Sequence, residues 1–338
     1  MKKDFSKFVP VFTVENWDEF ETLFRGCGPV VFRGQSDSSW ELTTNYERKF
    51  KTNVGRESSM IKRCISEGHL YVQNPPAMDD YVSWLAEMQH YGASTRLLDV
   101  TRSKYIAMFF AVKENKDKDG AIWAFDAIRS DKALYDMLKP HLSVVEMERD
   151  WIGEAADGIL PYQDTGYKIA NAAIRCEPAQ TITKIDKSLN KCRGVLNKLY
   201  KKGLIVHVVP DRINRRMLAQ QGEFLFPFNI RLTFVQNLLG AVKGNKYEGE
   251  LIGFGDSKIR KKAMGTTTPN VIKVVIPSSF KEEFMDHLLD MNISYQTLFP
   301  DEEGFMKSLQ YQKMRSRNLI TSRWESGKLI WSVNEFDL

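Results

Sequence analysis

The sequence predicts an α+β fold, a mixed α/β arrangement in which a central mixed sheet of about five to seven strands is flanked by helices. Short apolar runs rich in β-branched and aromatic residues recur along the chain, and such runs are typical of buried strands. Stretches with apolar residues three or four positions apart separate them, as in amphipathic helices. The 338 residues are 43% hydrophobic, which is enough apolar mass for a large core.

The N-terminal part of the chain is predicted to contain a helix, a strand and three further helices. Apolar residues at helical spacing from Val14 to Phe24 predict a helix that begins near Thr13 and ends at the turn residues 26–29. The run "VVF" that follows is β-branched and bounded by turn residues, so we predict a buried strand. The further helices are predicted at 60–65, 79–88 and 104–112.

The remainder of the chain is predicted to add four strands around a helical insertion. Residues 128–200 have a charged, helical pattern and are predicted to form that insertion, with the lysine-rich segment near 186–202 as a solvated helix face. Alternating or continuous apolar runs predict the strands. These strands are predicted at 121–127, 204–210, 224–226 and 271–277. A short helix is predicted just before the strand at 224–226, and a longer helix at 278–292.

Composition and charge narrow the class of protein. A net charge of +5 is spread over the chain, which permits a polyanionic partner without arguing for one. Four cysteines lie far apart, without a CxxC pair or a histidine at metal-ligand spacing, so we predict neither a disulfide framework nor a metal site. We find no signal peptide and no run that could span a membrane, so a cytoplasmic protein without a membrane partner is predicted.

Arg33 and Gly34 end the first predicted strand. An arginine at the mouth of a core presents a rigid set of donors that can bind a phosphate or carboxylate through two hydrogen bonds. Gly34 would then allow close approach of a ligand or of backbone. The alternative is that Arg33 pairs with an internal acid such as Asp99 and only fixes the strand.

A second polar group lies in "QHYGASTRLLDVT", residues 89–101. His90 can exchange protons near neutral pH, Ser94 and Thr95 offer hydroxyls, and Arg96 and Asp99 supply opposite charges. Burying so many polar groups beside an apolar helix is costly unless each finds a partner. The segment is therefore either a ligand site, which we favour, or a satisfied internal network.

A third polar group, "QQGE", joins a short helix to an aromatic strand. In an extended strand Gln221 and Glu223 would point to the same side, where the carboxylate could hydrogen-bond ribose hydroxyls and the amide a nucleophile. The alternative is a helix C-cap at Gly222 with polar neighbours in solvent.

Four segments together resemble the FRG domain family: "VVFRGQS", "QHYGASTRLLDVT", "NRRMLAQQGEF" and "LFPDEEGFMKSL". Their order and spacing predict an FRG domain over 10–310, including the insertion at 128–200, with a basic C-terminal extension over 311–338 packed on the same domain. Members of this family are bacterial and phage proteins. The resemblance therefore implies a cytoplasmic protein that acts in conflict between phage and host, as a toxin, a defence component or an inhibitor.

A more distant resemblance links the three polar groups to the three-motif pattern of ADP-ribosyltransferases. It implies NAD as cofactor, with Arg33 holding the dinucleotide, Ser94 and Thr95 shaping the pocket, Glu223 binding the ribose and Gln221 orienting the acceptor. Breaking the glycosidic bond to nicotinamide needs positioning and charge stabilisation more than acid or base help. In this chain an arginine follows the Ser-Thr pair, and if Glu223 is incidental, His90 and Asp99 become the better pair for hydrolysis or nucleotide binding.

Three classes of function therefore remain open at this point. The first is NAD-dependent ADP-ribosyl transfer to a macromolecular acceptor, either protein or nucleic acid. The second is a non-catalytic module that binds a nucleotide or nucleic acid through Arg33, Arg96 and the basic helix near 186–202. The third is a protein-interaction module that inhibits a host or phage factor.

Overall fold

The computed structural model describes residues 9–27, 30–126, 161–176, 193–210, 213–242, 271–309, 319–325 and 328–334. It contains a seven-stranded mixed sheet in the order β1-β7-β4-β2-β3-β6-β5, flanked by helices, so the predicted α+β class is confirmed. The sheet strands are β1 Val11–Thr13, β2 Val30–Gln35, β3 Leu98–Thr101, β4 Gly120–Asp126, β5 Ile205–Val208, β6 Gly222–Pro227 and β7 Val271–Ile276.

The helices lie between the strands and after the sheet. They are α1 Trp17–Leu23, α2 Asn45–Phe50, α3 Val54–Glu67, α4 Tyr81–His90, α5 Lys104–Val112, α6 Pro161–Cys176, α7 Arg193–Lys202, α8 Arg215–Ala219, α9 Phe234–Val242, α10 Lys281–Asp290, α11 Tyr295–Leu298 and α12 Glu302–Ser308. Several begin at a side-chain cap, which satisfies a backbone N–H that has no partner within the helix. Asn16, Thr44, Asp80, Ser103 and Asn214 are such caps.

The five predicted strands are confirmed, but two strands of the sheet were not predicted. β1 has only three residues, and β3 alternates Leu98 and Val100 with the polar Asp99 and Thr101, which is too short an alternation to stand out from its polar surroundings. β1 pairs parallel with β7, and the other neighbours in the sheet are antiparallel.

The predicted helical insertion and C-terminal extension are described in part. Within 128–200 the structure describes α6 and the start of α7, both helical, and the other residues of that range lie outside the described part. After residue 310 a hairpin of β8 Leu319–Glu325 and β9 Lys328–Asn334 forms a separate two-stranded sheet. That the domain spans 10–310 and that residues 311–338 pack on it remain predictions.

Two helical layers cover one face of the sheet. Phe32 stands opposite Thr101, which stands opposite Gly222, so by strand alternation Phe32 and Phe224 lie on the same face. On this face one apolar core joins α1, α5 and α10 to β2, β4 and β7, and another joins α3, α4, α6 and α7 to β5 and β6. The other face packs against a third core that includes Phe234 of α9. Strand β3 lies between β2 of the first core and β6 of the second.

A buried lysine fixes the loop that follows β2. Lys281 of α10 is fully buried, and its Nζ donates to the carbonyl oxygens of Ser36, Glu114 and Asn115 at 2.8, 3.0 and 2.9 Å. Burial lowers the pKa of Lys281, and nearby aspartates oppose this change. Because three carbonyls surround the ammonium group, the end of β2 is held against α10.

Helix α5 crosses β2 so closely that Gly34 has no room for a side chain. A Cβ at this position would lie 1.9 Å from the carbonyl oxygen of Ala107 and 2.8 Å from the amide nitrogen of Ala111. Both atoms belong to helix backbone, which cannot move aside as a side chain can. Of the two expectations for Gly34, close approach of a ligand or of backbone, the structure shows the approach of helix backbone.

Replacing Gly34 with alanine is expected to lower the free energy of unfolding by at least about 3 kcal/mol, because the helix must separate from the strand. Chemical denaturation of both proteins measures the change. Gly55→Ala is the matched control, since a Cβ on Gly55 meets no atom within 4 Å. The control should be neutral or stabilising by up to about 1 kcal/mol. Equal stability of the two variants would contradict the proposed packing.

Candidate functional site

A cavity of about 280 Å³ lies where β2 and β3 diverge, and we call it the β2–β3 cavity. These strands are joined by a single residue pair, Phe32 with Thr101, whereas β2 and β4 are paired over six residues. Side chains from strands and helices on both sides therefore surround the opening. The lining residues are Phe32, Arg33, Gly34, Asn45, Ala86, Gln89, His90, Asp99, Val100, Thr101, Phe110, Asn214, Arg216, Met217, Gln220 and Phe224.

Arg33 is held at the wall of this cavity by the backbone of β3. Its Nη1 donates to the carbonyl oxygen of Asp99 at 2.6 Å and lies 3.9 Å from Asp99 Oδ2, and its side chain is 19% exposed. Its Nε is buried and has no hydrogen-bond partner among the described residues. Burial lowers the pKa of Arg33 and the Asp99 carboxylate opposes this change. An arginine stays protonated at neutral pH, so a charged donor is left unsatisfied beside the cavity.

The Asp99 carboxylate is oriented by a short chain of side chains. Gln89 Nε2 donates to Asp99 Oδ1 at 2.6 Å, and Thr95 Oγ1 donates to Gln89 Oε1. Asp99 is itself 61% exposed, whereas Thr95 is fully buried. Thr95 therefore acts on the cavity through Gln89 and does not line it.

The remaining polar lining comes from the ends of α4 and α8. His90 is half-buried at the C-terminus of α4. The guanidinium of Arg216 lies over the ring of Phe299, 4.5 Å from its centroid. Gln220 is fixed from both sides, since its carbonyl accepts from Thr101 Oγ1 at 2.7 Å and its Nε2 donates to the Leu298 carbonyl. With two arginines against one aspartate, the lining favours an anionic ligand.

Arg96 lies outside the cavity and forms an internal ion pair. Its side chain is 2% exposed, its Nη2 and Nε contact Glu57 Oε2, and its backbone N–H donates to Glu57 Oε1 at 3.0 Å. Its guanidinium also lies 5.2 Å from the ring centroid of Phe226. The predicted role of Arg96 in holding a ligand is therefore not supported, and the internal network describes this residue better. Ser94 is half-buried and does not line the cavity either.

Glu223 also lies outside the cavity, although its neighbour Phe224 on β6 lines it. Glu223 is buried, with Oε2 2.7 Å from His207 Nε2 and Oε1 3.2 Å from Arg102 Nε. Neither the predicted ribose contact nor the alternative in solvent matches this position.

Gln221 precedes β6 in a left-handed backbone conformation. Its φ of +46° places it in the turn after α8, where its side chain is exposed and its carbonyl accepts from the Arg102 N–H at 3.1 Å. The expectation that Gln221 and Glu223 share a side assumed an extended backbone, and the turn removes that condition. The described arrangement therefore brings together Arg33, Gly34, His90 and Asp99 of the predicted residues.

A family model described as FRG domain matches residues 28–120. The chain carries an FRG domain. No curated protein and no solved structure showed significant similarity to the sequence. The FRG match covers β2 to the start of β4, so it contributes Arg33, Gln89, His90 and Asp99 to the cavity, and Arg216 comes from a later part of the chain.

Within the ranges that the structure describes, no helix is both long and apolar enough to cross a membrane. The same ranges contain no group of three or more His, Cys, Asp and Glu residues that could hold a metal ion.

Sequence reasoning missed several residues in and around the β2–β3 cavity. Gln89 precedes His90 in the segment at 89–101, but no role was predicted for its side-chain amide. Glu57 precedes Ile61 and Cys64 by four and seven positions, so a carboxylate on the apolar stripe of α3 was a signal of a buried ion pair. His207 and Arg216 gave no comparable signal, since their partners are distant in the sequence.

Glu57→Gln is expected to lower the free energy of unfolding by about 3 to 5 kcal/mol, because it removes the carboxylate that pairs with the buried Arg96 guanidinium. Denaturation with urea checks this change. Glu67→Gln on the same helix is the control, since Glu67 pairs with Arg63 on the surface at 2.9 Å and such pairs contribute about 0.5 kcal/mol or less. A loss in Glu57→Gln no larger than in Glu67→Gln would show that the buried pair is not structural.

Proposed function

We propose that the β2–β3 cavity of this FRG domain binds a nucleotide through its phosphate groups. One observation carries the proposal: the partly exposed Arg33 side chain lines the cavity, and its Nη1 lies 3.9 Å from Asp99 Oδ2, beyond hydrogen-bond distance. A phosphate in the cavity would give this guanidinium charge-assisted hydrogen bonds. Arg216 adds a second positive charge to the lining.

The remaining lining suits the base and sugar of a nucleotide. Phe32, Phe110, Met217 and Phe224 supply apolar surface, and amide side chains supply directed donors and acceptors. Small-molecule sites typically combine a mainly apolar wall with a few placed polar groups. At about 280 Å³ the cavity is slightly smaller than the usual range for such sites, so it would enclose one nucleotide unit of a dinucleotide such as NAD.

A second candidate function, ADP-ribosyl transfer from NAD, is favoured by the position of Asp99. In such a transfer the bond between ribose C1′ and nicotinamide breaks, nicotinamide leaves with the bonding electrons, and a nucleophile on the acceptor bonds to C1′ and loses its proton. A carboxylate beside the ribose stabilises the positive charge that develops there. In this cavity that carboxylate would be Asp99, next to Arg33, and Glu223 would not contribute.

The acceptor and biological setting expected from the sequence belong to this second candidate. They are a macromolecular acceptor, protein or nucleic acid, and a role in conflict between phage and host. Both depend on turnover of NAD, so the binding proposal stands without them. The acceptor would have to reach C1′ from the open side of the cavity.

Binding is tested by titrating the protein with ADP, NAD and adenosine in a calorimeter. We expect ADP and NAD to bind more tightly than adenosine, and Arg216→Gln to weaken ADP binding about tenfold, because a charge-assisted contact to phosphate is lost. Arg25→Gln removes the same charge from an exposed position outside the lining and should leave the affinity unchanged. Equal affinities for ADP and adenosine would refute the proposal.

Transfer chemistry is tested by measuring nicotinamide release from NAD by chromatography. If the second candidate is correct, Asp99→Asn should reduce the rate at least about 100-fold, since the amide cannot offset the developing charge. Glu223→Gln should change the rate less than Asp99→Asn does. The opposite order would return the ribose-binding role to Glu223, and no release by the unaltered protein with acceptors present would leave nucleotide binding alone.

A further inference from the structure

The chain Thr95–Gln89–Asp99 has only one consistent set of hydrogen bonds. An ionised carboxylate only accepts, so Gln89 presents Nε2 to Asp99 Oδ1, at 2.6 Å. The other amide atom, Gln89 Oε1, then accepts from the Thr95 hydroxyl, whose oxygen also accepts from the Leu97 N–H at 3.3 Å. A buried hydroxyl thereby fixes the orientation of a carboxylate at the cavity wall.

The second oxygen of that carboxylate is left open to a ligand. Asp99 Oδ2 lies 3.9 Å from Arg33 Nη1, which is beyond hydrogen-bond distance, and it accepts no hydrogen bond from the residues that the structure describes. An ionised carboxylate is an acceptor only. A ligand that contacts Oδ2 must therefore bring an N–H or O–H donor, and a phosphate cannot occupy that position without repulsion.

Donor and anion must then belong to one ligand, because Arg33 and Asp99 are neighbours. A ribonucleotide carries both: phosphate oxygens for the arginines and a vicinal diol whose hydroxyls donate to a carboxylate. Removal of one hydroxyl takes away a hydrogen bond to the oriented carboxylate, so a deoxy analogue is expected to bind more weakly.

We infer that Asp99, positioned by Gln89 and Thr95, binds the ribose hydroxyls and makes the β2–β3 cavity selective for ribonucleotides over deoxynucleotides. This inference rests on the proposed nucleotide binding, and it adds which sugar the site accepts. Asp99 is the contact residue, and Gln89 and Thr95 are positioning residues. The same contact is available whether or not the ligand is turned over.

The test is calorimetric titration of the full chain with ADP, 2′-deoxy-ADP and 3′-deoxy-ADP. We expect ADP to bind at least tenfold more tightly than one or both deoxy forms. Asp99→Asn should reduce this ratio to within twofold while a deoxy form still binds, because only the hydroxyl contact is lost. The Asp99 side chain is largely exposed, so this variant should fold.

Thr95→Val should also lower the ratio, by at least threefold, since it frees the Gln89 amide to rotate. A purely structural role for Thr95 would weaken binding of ADP and the deoxy forms equally and leave the ratio unchanged. Thr22→Val, at an exposed position outside the lining, is the control and should keep the ratio of the unaltered protein.

Two failures are distinguishable. Binding of all three nucleotides with affinities within twofold of each other overturns the inference and leaves nucleotide binding intact. Binding of none of them overturns the proposed function and the inference with it. If Asp99→Asn leaves the ratio of ADP to deoxy-ADP affinity unchanged, a residue other than Asp99 distinguishes the sugars, and the inference is wrong.

Discussion

The hydrogen bond from Arg33 Nη1 to the Asp99 carbonyl spans the place where the sheet opens. β2 and β3 share one residue pair, and beyond it their backbones separate. A guanidinium is long enough to reach across such a gap and occupy a carbonyl that lacks a partner on the neighbouring strand. The Arg33 side chain is 19% exposed and lines the cavity. The same residue thus joins the two strands and adds a positive charge to the cavity wall.

Arg96 and Arg33 show how burial and the available partners determine whether an arginine stabilises the fold or can bind a ligand. Arg96 is covered on all sides and meets Glu57 through both its side chain and its backbone, so its charge is neutralised inside the protein. Arg33 has a carboxylate only at 3.9 Å and a buried N–H without a described partner. Arg96 therefore has a carboxylate in direct contact, whereas Arg33 does not. An incomplete balance at a cavity wall is what a ligand can correct, whereas a complete one only stabilises the fold.

The sequence was sufficient for the fold class and for the strand that carries Arg33, because periodicity and β-branched runs are local signals. It also placed His90 and Asp99 in one polar segment, and both line the cavity. It could not separate these from Arg96, since the deciding partner, Glu57, is 39 positions away. Nor could it show that Gln221 adopts a left-handed turn, because that conformation depends on how α8 meets β6. Tertiary partners, rather than residue types, assign these roles.

The register of β6 constrains which carboxylate can take part in chemistry in the cavity. Phe224 lines the cavity, whereas the carboxylate of its neighbour Glu223 lies outside it and contacts His207 and Arg102. A transferase that used Glu223 would need β6 to shift by one residue, which would also move Phe224 and Phe226 out of the core they share with α3 and α4. Such a shift would expose two buried aromatic rings, so the register of β6 is strongly fixed. Any carboxylate chemistry in this cavity must therefore be carried by β3, on which Asp99 is already oriented.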